Sequence, residues 1–182
     1  MSKSESLLWS FSLAVYSDGS VHQECLNLQD QYGIDVNVLL FCAYAGVIHG
    51  AIMPESALRE ALDIVAEWND NVVSGLRMSR RALNPFAIDQ MSNGPSVPSA
   101  AALRNSVKAA ELEAERIEQA TLEKWSAARL TAWQSGEPGA AAAANIRGLF
   151  TICCRSGSPP RPDRLIAAAI RVAQSLRGKA IR

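Results

Sequence analysis

The chain has little of what enzymes commonly use for chemistry. It contains two histidines, His22 and His49, and neither follows a glutamate by three residues, as the ligands of carboxylate-bridged di-iron helices do. Glycine-rich phosphate loops, a GxSxG elbow and CxxC pairs are absent, which removes the sequence support for nucleotide binding, serine hydrolysis and zinc binding. We therefore predict no catalytic residue, no metal and no cofactor, and the sequence leans away from an enzyme.

Long apolar runs are also lacking. The longest, residues 38–53, contains His49 and falls short of the roughly 20 residues that a membrane helix needs. The apolar stretch at residues 7–15 is interrupted by Trp9 and two serines, and no small-residue cleavage site follows it, unlike an export signal. We expect a cytoplasmic protein in which the cysteines are free thiols, with Cys25 and Cys42 buried.

Charge is balanced over the whole chain but not along it. Residues 1–138 carry 10 Lys/Arg against 17 Asp/Glu, whereas residues 139–182 carry 8 against 1. A basic segment of this kind can bind an acidic partner or dock on its own acidic body. We predict a core domain at 1–135 and a basic C-terminal segment at 136–182 that docks on it. Nucleic-acid binding by this segment is the weaker interpretation.

What the sequence does have is helical periodicity over nearly its whole length. We predict an all-α fold, a helical bundle of about five core helices followed by two shorter C-terminal helices. Residues 84–99 are rich in Pro, Gly, Ser and Asn, which indicates a long surface loop. The predicted helices are 6–16, 20–32, 36–48, 54–83, 100–133, 140–153 and 163–176.

Short-range signals predict several helix ends. Ser20 with Gln23 forms a capping box, which should open the second helix. Gly33 can take the left-handed conformation that ends this helix, and Asp35 should cap the third. The third helix is apolar all round except for Asn37, so we expect it at the centre of the bundle.

Two long helices carry apolar seams that should face neighbouring helices. In the fifth helix the seam residues recur at alternating spacings of four and three, the heptad pattern of a helix that packs against another. Its alanines permit a close approach. The seam of the fourth helix comprises Leu58, Ala61, Val65, Trp68, Val72, Leu76 and Leu83, and that of the fifth Leu103, Val107, Ala110, Ala114, Ile117 and Thr121.

Three groups of polar side chains lie on or beside the apolar faces, where each needs a partner. An arginine near a core seam requires a carboxylate, a carbonyl or an anionic ligand. If the fourth and fifth helices are antiparallel, arginines and glutamates would form ion pairs, which we favour over an anion or metal site. The same side chains are the partners that we expect for the first group. The groups are Gln29, Asp30, Asp35 and Asn37; Asn69, Arg77, Arg80 and Arg81; and Lys108, Glu111, Glu115 and Glu118.

Four blocks of sequence form a distinctive combination. They are Leu8-Trp9-x-Phe11-Ser12-Leu13-x-x-Tyr16, Cys25-Leu26-x-Leu28-Gln29-Asp30-x-x-Gly33-x-Asp35-Val36-Asn37, Val73-x-x-Leu76-Arg77-x-x-Arg80-Arg81 and Leu103-Arg104-x-x-Val107-Lys108-x-x-Glu111-Leu112. Together they resemble an uncharacterised proteobacterial family of small helical proteins, a domain of unknown function, over about residues 7–120. The resemblance implies that the polar groups belong to one shared design, and it brings no activity or cofactor with it.

Two functions from different classes stay open. The first, which we favour, is a non-enzymatic helical interaction or adaptor protein whose partner is another protein or a second copy. The second is a helical pocket protein, or an enzyme, that binds a small anionic or lipid-like ligand beside Arg77 and Arg80. In that case Trp9, Trp68 and Tyr16 would line its apolar part. Full pairing of Arg80 with Glu111, Glu115 or Asp30, without an adjoining cavity, would exclude the second function.

Overall fold

The computed structural model describes residues 6–154, 159 and 161–180. The predicted all-α fold is confirmed, because almost all regular structure in these residues is helical. A π-helical turn, Asn69–Val73, joins α4 to α5, and two-residue strands β1 (Ala51–Ile52) and β2 (Gln134–Ser135) pair antiparallel. The helices are α1 (Leu7–Tyr16), α2 (Gly19–Tyr32), α3 (Val36–His49), α4 (Glu55–Trp68), α5 (Ser74–Ala82), α6 (Pro85–Asp89), α7 (Val97–Ser126), α8 (Pro138–Cys153) and α9 (Asp163–Ala180).

The start of α2 differs from the prediction. Asp18, rather than Ser20, caps this helix, because its carboxylate accepts a hydrogen bond from the Ser20 N–H at 2.9 Å. The Ser20 hydroxyl donates to the same carboxylate, so the predicted capping box is wrong. Asp and Ser are equally good caps, and the sequence offered both within three residues. The other end is as predicted, since Gly33 is left-handed with a φ of 66°.

The predicted loop at 84–99 is partly helical. Asn84 caps the short helix α6 by accepting from the Phe86 N–H at 3.0 Å, and the proline that we took as a loop signal occupies the first turn, where its missing N–H has no cost. The next helix, α7, begins at Val97 and ends at Ser126, short of the predicted residue 133.

The predicted fourth helix is divided by the π-helical turn. This turn adds a residue to one helical turn and so rotates everything after it by about 100°. The apolar seam holds through Val65, which is buried, but the next buried residue is Val73 instead of the predicted Val72. Leu76 and Leu83 are only half-buried for the same reason.

Packing groups the chain into two units. The first, which we call the body, is Met1–Ile64 together with Gln119–Arg182, and the second, which we call the hairpin, is Val65–Glu118. Both α8 and α9 belong to the body. The division into a core domain at 1–135 and a docked segment at 136–182 is a statement about which part of the chain folds alone. It stays a prediction.

The centre of the body is α3, as its apolar sequence predicted. Its residues 37–47 are all buried, and Asp35 caps it by accepting from the N–H groups of Asn37 and Val38 at 2.8 and 3.4 Å. Helix α8 crosses α3 at Gly46 so closely that a Cβ there would overlap the backbone of Ala142. A glycine in the middle of α3 therefore allows the two helices to meet backbone to backbone.

A buried asparagine, Asn145 on α8, ties this crossing to β1. Its side-chain oxygen accepts from the Met53 N–H at 2.8 Å, and its amide donates to the carbonyls of Cys42 and Ala51 at 3.2 and 2.9 Å. All three partners are backbone groups of buried residues. Asn145 thus serves as the polar anchor of the body.

The basic segment contacts acidic side chains of α2 and its cap. Glu24 accepts from the Leu165 N–H in the first turn of α9 at 2.8 Å, where a carboxylate also complements the helix dipole. Arg171 pairs with Asp18 at 3.2 Å, but the Arg171 side chain is largely exposed, so the pair contributes little to stability.

Candidate functional site

Ion pairs lie along the inner face of the hairpin. The Arg77 guanidinium donates to Glu111 at 3.3 Å and to Glu115 at 3.0 Å. Arg80 engages both carboxylate oxygens of Glu111, one of them from Nη2 at 3.0 Å. The ion pairing predicted between these helices is therefore present.

The helices of the hairpin are antiparallel. Trp68, at the end of α4, donates from its indole N–H to the Ala114 carbonyl at 3.0 Å, and Asn69 donates to Glu118 at 3.3 Å. Asn69 contacts Glu118, near the end of α7. Arg77 comes later in the chain than Asn69 but contacts Glu111, which comes earlier on α7 than Glu118. The polar contacts thus form a ladder along the hairpin.

The π-helical turn explains why arginines face this ladder. After the turn, Val73 is buried, and Arg77 and Arg80 follow it by four and seven residues, so they lie on the same face. Without the extra residue, Val72 and Leu76 would occupy the positions on the inner face that Val73 and Arg77 now have. The arginines would then lie beside that face.

This cluster is closed on itself. Glu111 is buried, and the side chains of Arg77 and Arg80 are only 17% and 25% exposed. Because both oxygens of Glu111 are already held by guanidinium groups, an anionic ligand would have to displace a buried carboxylate. The geometry fits a structural role better than a ligand clamp.

The remaining predicted site residues differ in burial and in hydrogen-bond partner. Asn37 is buried and accepts from the side-chain amide of Gln119 at 2.9 Å, so its partner is neither an arginine nor a glutamate. Gln29 and Asp35 are half-buried, whereas Asp30, Arg81 and Lys108 are exposed.

Sequence reasoning overlooked two buried polar residues, Gln119 and Asn145. Gln119 follows Glu118 on α7, and its side-chain oxygen has no hydrogen-bond partner among the described residues. A signal for Asn145 was available, because it interrupts an apolar stripe of α8 four residues after Ala141 and four before Leu149.

Most of the exposed large apolar side chains belong to the hairpin. Of the nine that are exposed among the described residues, the hairpin carries seven, and the body carries Leu7 and Leu13. A typical folded surface scatters such residues singly, so their concentration on one unit makes the hairpin a candidate contact surface. The seven are Trp68, Met78, Phe86, Met91, Leu103, Leu112 and Ile117.

The heptad seam of α7 belongs to this surface. Leu103 and Ile117 are 55% and 40% exposed, and Ala110 between them is also exposed. These three residues are seven apart and so form one stripe along the helix. The rest of the predicted seam is mixed, because Val107 is half-buried and Ala114 is buried. The glutamate flank, farther round α7, is the face that meets the arginines.

Reactive groups are few in the described part of the chain. The four cysteines are free, as predicted, and Cys25 and Cys42 are buried. Burial raises the pKa of Cys25 to about 12 and that of Cys42 further, so both thiols stay protonated and unreactive. Among residues 6–154, 159 and 161–180, His, Cys, Asp and Glu form no cluster of three that could hold a metal ion. None of the helices in these ranges is long and apolar enough to cross a bilayer.

The body is all-α, and the hairpin is a pair of antiparallel helical segments held by ion pairs, so the protein is of the all-α class. The chain belongs to the DUF2390 family of proteins of unknown function, which it matches over residues 7–122. This range contains α1 to α6 and most of α7, and it ends before β2, α8 and α9. No curated protein and no solved structure matches the chain.

Proposed function

We propose that this chain is a non-enzymatic helical interaction protein, and that the outer surface of the hairpin docks an α-helix of another protein. The observation that carries this proposal is the concentration of exposed large apolar side chains on the hairpin. Water contact with such a surface is unfavourable by roughly 25 cal/mol for each Å² that a partner would cover. A partner that buried it would gain this free energy.

The shape of the surface favours a helix as the docking element. The stripe of Leu103, Ala110 and Ile117 repeats every seven residues, as do the contacts of one helix lying along another. Alanine at its middle permits a close approach of the partner backbone. Glu111 and Arg77 pair with each other on the inner face, outside this stripe.

A cytoplasmic location is part of the proposal. Four free cysteines, two of them buried, suit a reducing compartment. The ligand pocket considered beside Arg77 and Arg80 is less favoured, because Glu111 already occupies the guanidinium groups.

The test compares two doubly substituted chains. Leu103→Lys with Ile117→Lys places two charges in the stripe, while Leu7→Lys with Leu13→Lys makes the same chemical change at 45% exposed positions of the body. Both chains should keep the wild-type helical circular dichroism, since all four sites are exposed. Affinity capture of the tagged chains, quantified by mass spectrometry, and light scattering measure partner and self-association.

We expect the wild type to capture a partner, either a distinct protein or a second copy. The hairpin variant should capture at least tenfold less of this partner, and the body variant should capture as much as the wild type. Equal retention by both variants, or a wild type that is monomeric and retains nothing, would contradict the proposal.

A further inference from the structure

A cleft in the body lies between α8 and the described residues that precede and begin α9, which include Pro159 and Pro162. Its volume is about 330 Å³, at the lower end of the range of roughly 300–1,000 Å³ typical of small-molecule sites. The lining is mainly apolar and comprises Ala143, Ile146, Phe150, Pro162 and Ile166. A cleft of this size holds a short hydrocarbon chain or a single ring rather than a large cofactor.

Two arginines, Arg147 and Arg161, also line this cleft. Arg161 pairs with Asp163 at 3.4 Å, but both side chains are about 70% exposed and the pair is weak. For Arg147, none of the described residues is a hydrogen-bond or ion-pair partner of the guanidinium. Unlike the arginines of the hairpin, these two have guanidinium groups available to a ligand.

The two charged side chains that line the cleft are both basic. The one acidic residue of the segment 139–182, Asp163, is paired with Arg161. Two guanidinium groups beside an apolar floor favour an anion over a cation. Guanidinium groups bind carboxylate and phosphate by paired hydrogen bonds, whereas the apolar lining offers nothing to a fully polar ion.

We infer that this cleft binds a small amphiphile, an anionic headgroup on a short apolar chain, with Arg147 and Arg161 holding the headgroup. The side chains of Ile146, Phe150 and Ile166 cover the chain. This site uses no residue of the hairpin, so it stands or fails independently of the proposed docking surface.

Calorimetric titration of the full-length chain with decanoate and with decyl phosphate, below their micellar concentrations, tests the site. Saturable binding of either ligand at one site per chain is expected, and the tighter of the two identifies the headgroup as a carboxylate or a phosphate. Decanol, which keeps the chain without the charge, and acetate, which keeps the charge without the chain, should each bind at least tenfold more weakly.

Matched variants locate the site. Arg147→Gln with Arg161→Gln should weaken binding of the charged ligand at least tenfold and leave decanol unchanged. Arg164→Gln removes one exposed charge from the same segment outside the cleft lining and should change the affinity less than twofold.

Three results would overturn the inference. They are no saturable binding of either anionic ligand, equal affinity for decanol and decanoate, and equal loss in the Arg164→Gln chain and the doubly substituted chain. The comparison of decanol with decanoate needs no variant, so it decides the question even if a substituted chain misfolds.

Discussion

The body and the hairpin place their apolar and charged side chains in opposite ways. In the body, α3 is surrounded by apolar neighbours, and the buried Asn145 has a partner for each hydrogen bond that it offers. In the hairpin, the inner face holds Glu111 with two arginines, while large apolar side chains face outward. Burial of apolar surface stabilises strongly, whereas ion pairs removed from water contribute little net free energy. The hairpin thus leaves large apolar side chains in contact with water.

The sharpest contrast between the two units is at two helical glycines. Gly46→Ala in the body should lower the free energy of unfolding by about 3 kcal/mol or more, because the new methyl group would overlap the backbone of Ala142. Gly75→Ala in α5 of the hairpin should raise it by about 0.5–1 kcal/mol, because nothing lies within 4 Å of a Cβ there and alanine favours the helix. Urea denaturation followed by circular dichroism measures both.

The same substitution is therefore expected to have opposite signs in the two units. If Gly46→Ala were neutral, α3 and α8 would be free to separate, and the close crossing would not be the basis of the stability of the body. If Gly75→Ala were strongly destabilising, the outer surface of α5 would be covered in solution.

A second pair of substitutions tests the ionic inner face of the hairpin. Glu111→Ala removes the carboxylate shared by Arg77 and Arg80 and should cost about 1–3 kcal/mol, less than a fully buried pair because both arginines reach water. Glu113→Ala removes the exposed pair with Arg116 and should cost much less. Thermal and urea unfolding of both chains provide the comparison.

Equal costs at the two positions would mean that water already surrounds Glu111. Conversely, Glu111→Leu with Arg80→Leu should recover much of the loss, since apolar side chains of similar volume replace buried ion pairs without penalty. A double variant that remained as unstable as Glu111→Ala would show that the hairpin requires the charges themselves.

Much of the fold could be predicted from local chemistry. Gly33 and Asp35 act as predicted because a left-handed glycine and a capping carboxylate need only their immediate neighbours. The extra residue of the π-helical turn at 69–73 could not be predicted, because no proline or glycine marks it and tertiary packing decides it. The predicted apolar seam after that turn is therefore one residue too early, with Val72 in the place of the buried Val73.

The candidate site was predictable only in part. The arginines and glutamates were correctly matched because a buried charge requires an opposite one, and the antiparallel pairing of two long helices brings them together. Which face of α7 would be covered was not predictable, since the heptad stripe of Leu103, Ala110 and Ile117 and the flank of Glu111 both had reasons to be inside. The arginines determine which of these two faces is covered. The π-helical turn in turn determines the direction in which the arginines point.

The smallest expected difference between the units is in their response to acid. Both histidines lie outside the hairpin, so stability linked to imidazole titration belongs to the body. His49 packs against Tyr44, at 5.1 Å between ring centroids. The resulting partial burial lowers the pKa of His49, an effect that the nearby Glu123 partly offsets. The folded state therefore holds this proton less tightly than the unfolded chain.

The sign of the effect follows from linkage. Above the unfolded pKa of about 6.5 both states are neutral at His49 and the residue contributes no pH dependence. As the pH falls through that value, the unfolded chain takes up the proton first, so the wild type should lose stability towards about pH 5. His49→Gln, which keeps a polar side chain without a titratable group, should show a smaller loss over the same interval. Identical pH profiles for the two chains would mean that partial burial does not lower the pKa of His49. A larger loss of stability in the variant would mean that Glu123 outweighs desolvation and stabilises the charged imidazole.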